Sequence, residues 1–554
     1  MNTRVARNSI LSLIAFILLS LIIAAVIAVP SAASAAPQAQ QDRRRQFNPS
    51  FPAQPESRIF QQQAPGRPDA ASVQQQAASA VKPPEETSSE TRHSIMVAGK
   101  PLPYTAIAGT MILKTEDGRP KASVYYTAYF RSDVRKRVAR PLTFAFNGGP
   151  GSSSVWLHMG AFGPRKVLLD DDGFPLPAVF ELADNENTLL DATDIVFIDP
   201  VSTGYSRPVP GENANQFHGY NEDIESVGEF IRLFVTRHER WASPKFILGE
   251  SYGTVRASGL AGYLQGRAPG MYLNGIILVS SAINFQNFRF APGNDLPNIF
   301  FLPTYTADAW YHKKLPSDLQ AKGIADVVDE ARRFALGPYA TALMKGNTLP
   351  DAEKREILAG LARLTGLDPA FLEQANLRVT LPRFCKELLR GERRTIGRLD
   401  GRFKGFDYDA AGEVYESDPS NAAIYGPFTA VLNDYLRNEL KYKNDIVYAI
   451  SGNVRPWNYS NVQNEYLNVS ETLRQAMTEN RFLKVFLANG YYDGATPFCA
   501  TEYTIFHMDP GGELKDRVSF GYYEAGHMMY IHKPSHARLK ADVVAFMRSA
   551  CAQQ

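Results

Sequence analysis

Residues 244–254 constrain the fold of this chain more than any other stretch, and they read Pro-Lys-Phe-Ile-Leu-Gly-Glu-Ser-Tyr-Gly-Thr. Residues 246–248 are continuously apolar, as a strand covered on both faces must be. Gly249-Glu250-Ser251-Tyr252-Gly253 follows at once as G-x-S-x-G, and a helical period then runs to Gln265. A strand that becomes a helix within so few residues crowds its own backbone, so the flanking positions take glycine and the central side chain is held out at the end of the sheet. This is the pattern of a nucleophile elbow, and it makes Ser251 the candidate nucleophile. Taken alone, the same residues are a serine in a glycine-bearing turn, so the rest of the chain must supply what such a serine needs.

The surrounding pattern fits one large α/β unit. Residues 104–114 and 122–130 alternate apolar and polar around Glu116-Asp117-Gly118-Arg119-Pro120, which predicts an antiparallel hairpin. Residues 141–146, 194–198, 246–248 and 275–280 are shorter and more uniformly apolar, with helical periods at 221–241, opened by Asn221, and 251–265 between them. Strand alternating with helix predicts a doubly wound, mostly parallel sheet. From 284 to 443 the strand signal fades and helical periods take over, at 315–333, 351–364, 369–375 and 382–389, which predicts an inserted helical cap. Strand and helix resume at 482–488, 518–523 and 535–550. The expected organisation is therefore a leader at 1–36, a linker at 37–92, core at 93–283, cap at 284–443 and core again at 444–554.

Arg4 and Arg7, an apolar run over about residues 10–29 and the small-residue site Ala33-Ser34-Ala35 predict an export signal. The run is long enough to span a bilayer, so residues 10–29 also fit an uncleaved membrane anchor, and the expected location is the periplasm or the extracellular space. Residues 37–92 are rich in Gln, Ala, Pro and Ser, the composition of a disordered tether. The formal net charge of +2 gives no reason to expect nucleic acid as a partner. Three cysteines, Cys385, Cys499 and Cys551, allow at most one disulfide, so stability must come from the core.

A serine hydroxyl is a weak nucleophile at neutral pH and needs a histidine to take its proton and a carboxylate to orient that histidine. In the α/β-hydrolase arrangement both follow the serine in sequence, on loops after core strands. The segment after 482–488 offers Asp493, and the segment after 518–523 offers His527. Asp199 also ends a strand but precedes the nucleophile. His532 and His536 lack acidic or cysteine partners at metal-site spacing, so neither a metal nor another cofactor is expected. His158, His238 and His312 lack strand-end placement. Developing negative charge on the substrate oxygen needs amide donors, expected from Tyr252 and from Gly149 in the loop Asn147-Gly148-Gly149-Pro150-Gly151. That loop lacks the Lys-Ser or Lys-Thr of a phosphate cradle.

Asn147-Gly148-Gly149-Pro150-Gly151, Phe197-Ile198-Asp199-Pro200, Gly249-Glu250-Ser251-Tyr252-Gly253 and Gly526-His527-Met528 resemble, in order and spacing, the serine carboxypeptidases. The likeness runs from about Ser94 to Cys551. It implies an α/β-hydrolase fold with a helical cap, a Ser251, Asp493, His527 triad, and release of single residues from peptides with a free C-terminus. It also implies that Asn147, Glu250 and the backbone of Gly148 hold the substrate's carboxylate. A carboxyl facing a carboxylate must share a proton, which would raise the pKa of Glu250 and favour acidic pH.

The chain departs from the family at two positions. Where relatives carry a second glutamate in E-L-G-P, this chain has Ala161-Phe162-Gly163-Pro164, with Arg165 alongside; where relatives carry a disulfide cysteine, it has Ser152. The first departure also admits an esterase or acyltransferase using the same triad. A catalytically silent binding protein on the same fold is the reading from another class. In the cap, Tyr305, Trp310 and Tyr311 are candidates for a side-chain pocket or for plain core packing.

Overall fold

The computed structural model describes residues 85–552, apart from Ala178, Arg267 and Ala268. The expected leader and the linker up to residue 84 lie outside the described residues. Nine strands form the main path of the central sheet: β1 (Ser88–Val97), β2 (Lys100–Lys114), β3 (Pro120–Arg131), β4 (Leu142–Phe146), β5 (Asp194–Ile198), β6 (Lys245–Ser251), β7 (Gly275–Ser281), β8 (Lys484–Gly490) and β9 (Val518–Tyr523). Their spatial order is β1-β2-β3-β5-β4-β6-β7-β8-β9. The first three pairings are antiparallel, and all those from β5 to β9 are parallel.

The register explains why the inner strands are apolar at every position. Ile276 lies opposite Ile247 and Ile277 opposite Leu248, while Val485 and Phe486 continue the same two rows on β8. Successive side chains point to opposite faces. Ile247, Ile276 and Val485 therefore join one core, and Leu248, Ile277 and Phe486 the other. Helices α1 (Tyr220–Arg237) and α2 (Tyr252–Gln265) cover the Ile276 face.

Between β7 and β8 the chain runs through α3 (Leu296–Tyr311), α4 (Ile324–Phe334), α5 (Asp351–Thr365), α6 (Pro419–Asp434) and α7 (Ser470–Glu479). The first three of these share a third core with Tyr492 and Phe498. α8 (Phe498–Met508) follows β8, and α9 (Lys533–Cys551) closes the Ile277 face.

Several elements differ from expectation. The sheet begins inside the stretch expected to be linker, because β1 starts at Ser88 and pairs along its whole length with β2. Its polar composition suits an edge strand, which has one neighbour and no need of two apolar faces. α1 opens after Gly219, one residue earlier than expected, without a side-chain cap. The helix expected over 315–333 is broken into Ser317–Gln320 and α4, with Gly323 before the second piece. α3 was not legible, since its apolar residues surround the helix instead of forming a stripe. All three cysteines are free.

Candidate active site

β6 ends at Ser251 and α2 begins at the next residue. Ser251 has φ 59° and ψ −127°, a strained conformation for a residue with a side chain, worth about 1–3 kcal/mol that the surroundings must offset. Those surroundings are tight. A Cβ on Gly249 would stand 2.1 Å from the Gly253 carbonyl oxygen, and one on Gly253 would stand 2.8 Å from the Phe146 carbonyl oxygen. Thr254 braces the turn, its hydroxyl donating to the Ser251 carbonyl at 2.6 Å while accepting from the Ala282 amide at 2.9 Å.

The loop after β4 packs directly on this turn. A Cβ on Gly148 would lie 2.3 Å from the Tyr252 nitrogen, and Gly149 holds φ +105°. Tyr252 supplies the first amide of α2, which the helix's own ladder leaves unused and its dipole makes attractive to negative charge. Behind the loop, buried Arg256 donates to the Asn147 carbonyl at 2.7 Å and pairs with Asp223 at 2.8 Å. Asp223 is thus an interior ion-pair partner as well as a first-turn acid of α1.

Asp493 and His527 meet across the ends of β8 and β9. His527 Nδ1 lies 2.9 Å from Asp493 Oδ2, which leaves Nε2 as the ring atom free to serve a nucleophile. The other Asp493 oxygen accepts the amides of Ala495 and Thr496 at 2.8 and 2.9 Å. The Thr496 hydroxyl donates to Asp493 Oδ2 at 2.6 Å and sits 3.2 Å from His527 Nδ1. Burial opposes a charge on His527, but the charge and hydrogen bond of Asp493, aided by Glu250, outweigh it and raise the imidazole pKa above its usual 6.5.

The histidine loop is also pinned from the helical insertion. Leu399 O accepts the His527 amide at 2.7 Å, and Asp400 Oδ2 accepts the Gly526 amide at 3.0 Å. Asp400 is in turn gripped by Arg402 through contacts of 2.7 and 3.0 Å. A Cβ on Gly526 would come within 2.4 Å of the Asp400 side chain. Sequence reasoning missed Thr496, Leu399, Asp400 and Arg402. Only Thr496, three residues after Asp493, lay close enough in sequence to leave a signal.

Glu250 is buried at 2% exposure. Burial pushes its carboxyl up to about 7, against the pull of His527 and a hydrogen bond from Tyr530; Asp493 adds to the rise. The Tyr530 hydroxyl donates to Glu250 Oε2 at 2.6 Å. Asn147 is buried beside it: Oδ1 accepts the Leu157 amide at 3.0 Å, while Nδ2 closes no full hydrogen bond and stands by Glu250 and Tyr530, on which it acts as a weak donor. An acid that holds its proton to neutral pH and a weakly engaged amide donor therefore flank the elbow.

The rival residues are used elsewhere. Asp199 accepts the Ser154 amide at 2.8 Å, and burial raises its pKa to about 7. His158 is buried against Tyr129, and its pKa falls to about 3. His238 stacks on Phe234, and His312 bonds the Gly401 carbonyl. His536 reaches the Ala161 carbonyl at 2.6 Å, and His532 the Ser535 hydroxyl at 2.7 Å. Arg165 pairs with Asp184 and Glu439. Tyr305 is core, stacked 3.9 Å from Phe384; Trp310 bonds the Lys322 carbonyl, and Tyr311 lines a cleft of about 460 Å³ with His312 and Arg402.

The serine carboxypeptidase family profile matches residues 102–327, which take in the glycine loop and the elbow and end before Asp493 and His527. The pheromone-processing carboxypeptidase KEX1 of Saccharomyces cerevisiae (strain ATCC 204508 / S288c) is 30% identical over 156 residues, 26% of this chain and 20% of the yeast protein. The chain thus matches about a fifth of that relative's length. The crystal structure of KEX1(delta)p, a prohormone-processing carboxypeptidase from the same yeast, superposes with a TM-score of 0.50 at 16% identity, over 80% of this chain and 91% of that one. At that identity the likeness is one of fold. Residues 102–327 are thus similar to the serine carboxypeptidase family, and the chain carries an α/β-hydrolase fold.

Proposed function

We propose that this protein is a serine-type carboxypeptidase that releases amino acids from the free C-terminus of peptides. The observation that carries the reading is the placement of Glu250 and Asn147 against the nucleophile's own turn. Glu250 directly precedes Ser251, is buried, and keeps its proton to about pH 7, while the Asn147 Nδ2 donor is only weakly engaged. Together with the Gly148 amide they form a receptor for a carboxylate one residue away from the acylating hydroxyl.

In the proposed cycle Ser251 Oγ attacks the carbonyl carbon of the last peptide bond while His527 takes its proton and Asp493 orients the ring. The oxyanion is held by the amides of Gly149 and Tyr252. His527 then protonates the departing amine, the terminal amino acid leaves, and water resolves the acyl-enzyme by the same route in reverse. The helices at 284–443 act as a cap over the groove. The basic leader, apolar run and Ala33-Ser34-Ala35 support export of the chain.

The pH dependence has two limbs. His527 must be neutral to act as a base, and its raised pKa removes activity on every acyl substrate as pH falls. Glu250 must be protonated to donate to a carboxylate, so binding of free peptides weakens as pH rises past about 7. Free peptides should therefore give a narrow bell near neutrality instead of an acidic optimum, while simple esters and amidated peptides keep only the acid limb. Mass spectrometry of peptides incubated across about pH 4–8, which spans these titrations, tests both points. Failure to shorten any free peptide from its C-terminus would sink the proposal. Equal treatment of free and amidated peptides would favour the esterase or acyltransferase reading, which the absence of a second acid at Ala161 supports.

A further inference from the structure

Glu250 is the proton-holding acid of the proposed carboxylate receptor, yet the segment at 160–163 brings it no second carboxyl. A hydrogen bond reaches it from the other side of the site. Tyr530 lies three residues past His527, on the single turn Met529–Ile531, and is itself 2% exposed. Its ring lies against the glycine before Ala161: a Cβ on Gly160 would stand 2.7 Å from Cε2 and 3.0 Å from Cδ2. The slot is kept in shape from behind, since the Ala161 carbonyl accepts from His536 Nε2 at 2.6 Å and from Asn185 Nδ2 at 2.9 Å. Gly160 is thus small because a phenol fills the space beside it, and that phenol ends 2.6 Å from Glu250 Oε2.

We propose that Tyr530 is the positioning residue of the carboxylate receptor, a phenol that takes the place of a second acid and fixes which oxygen of Glu250 carries the proton. The assignment rests on the carboxypeptidase reading of the site. With Oε2 accepting from the Tyr530 hydroxyl, the acid's own proton sits on Oε1, where it can be donated to a substrate carboxylate. Two facing carboxyls would share one proton and titrate as a pair. A phenol behaves otherwise: burial, together with the charge of Glu250 and the hydrogen bond to it, drives the Tyr530 pKa well above 10, so it remains a donor at every working pH. Glu250 therefore titrates as one group. The other groups that act on it are His527 and Asp493 from the loops after β9 and β8, and Asn147 from the loop after β4.

The direction of each effect follows. A hydrogen bond donated to a carboxylate favours its charged form, so its loss raises the Glu250 pKa. The Tyr530→Phe variant should move the alkaline limb of kcat/KM for free peptides upward by about one pH unit, and raise KM about fivefold at acidic pH with kcat nearly unchanged, as loss of one buried hydrogen bond predicts. Fluorotyrosine placed at 530 keeps the shape and is a stronger donor, so it should move the limb downward. Amidated peptides should respond to neither change, and a Glu250→Gln background should abolish both shifts. Fluorophosphonate labelling of Ser251, which needs no carboxylate, confirms that each variant is folded. An alkaline limb that stays put in both Tyr530 variants while the parent enzyme trims peptides overturns the role of Tyr530 alone. No trimming by the parent overturns the function first and this assignment with it.

Discussion

The elbow and the glycine loop meet backbone to backbone, whereas the acid and the histidine also depend on hydrogen bonds from Thr496 and from a segment of the insertion far away in sequence. On the first side, absent Cβ atoms do the positioning. Gly148, Gly249 and Gly253 each sit where a methyl group would lie within 2.3, 2.1 and 2.8 Å of another main-chain atom. On the second side, Asp493 takes four donors, from Ala495, Thr496 and His527, and the His527 loop hangs on Leu399 and Asp400 of the insertion. The backbone-built half leaves no freedom to adjust. The other half has its position set by a distant segment of the chain, whose Leu399 and Phe403 pack into the core on the Ile277 face.

The sharpest break of that contrast should come from the backbone-built half. In Gly148→Ala the new methyl would collide with the Tyr252 nitrogen and with backbone atoms of Glu250 and Gly253. None of these can yield without moving both proposed oxyanion donors. Loss of a single donor lowers kcat about 10²–10³-fold, so the expected fall is about 10³-fold or more, with fluorophosphonate labelling slowed in parallel. Activity within tenfold of the parent would mean that the two loops tolerate separation, and the contrast would fail.

Asp400→Asn probes the other half and should do less to the chemistry. The Gly526 amide can keep an acceptor, but buried Arg402 loses its charged partner, at about 3 kcal/mol of stability. A lower Tm is expected, with kcat reduced about tenfold as the histidine drifts and KM little changed. Glu373→Gln, which breaks the exposed pair with Lys354 in the same insertion, should alter neither quantity. If Asp400→Asn lowers Tm without touching kcat, the insertion stabilises the histidine loop without aiming it.

The same contrast decides what could be read from the sequence. Glycine turns are local, so Asn147–Gly151 and Gly249–Gly253 announced themselves within five residues each. Strand ends located Asp493 and His527, because a loop after a core strand is visible as the point where the apolar run stops. Nothing comparable marks Asp400, whose partner Gly526 lies 126 residues away, or Tyr530, whose meaning depends on Glu250, 280 residues earlier. Helix α3 escaped for a related reason. Phe300, Phe301, Leu302 and Tyr305 are buried on successive positions around α3, so burial on all sides erased the stripe that marks a surface helix.

The smallest expected effect concerns the hydroxyl that each buried acid receives: Glu250 from Tyr530, Asp493 from Thr496. Thr496→Val keeps the shape of the side chain and both backbone amides on Asp493 Oδ1, but removes the donor 2.6 Å from Oδ2. A carboxylate relieved of one donor pulls harder on the remaining one, so His527 should hold its proton more tightly and its pKa should rise further. His527 must be neutral to act, so the acid limb of kcat/KM should move upward by a few tenths of a pH unit, with kcat at the optimum down about threefold, since the two backbone amides and the ring still hold the carboxylate. The shift should appear with esters and free peptides alike, because it acts on the base and not on the carboxylate receptor. A limb that moves only with free peptides would couple Thr496 to Glu250 instead, and the division of the site into separately held halves would have to be redrawn.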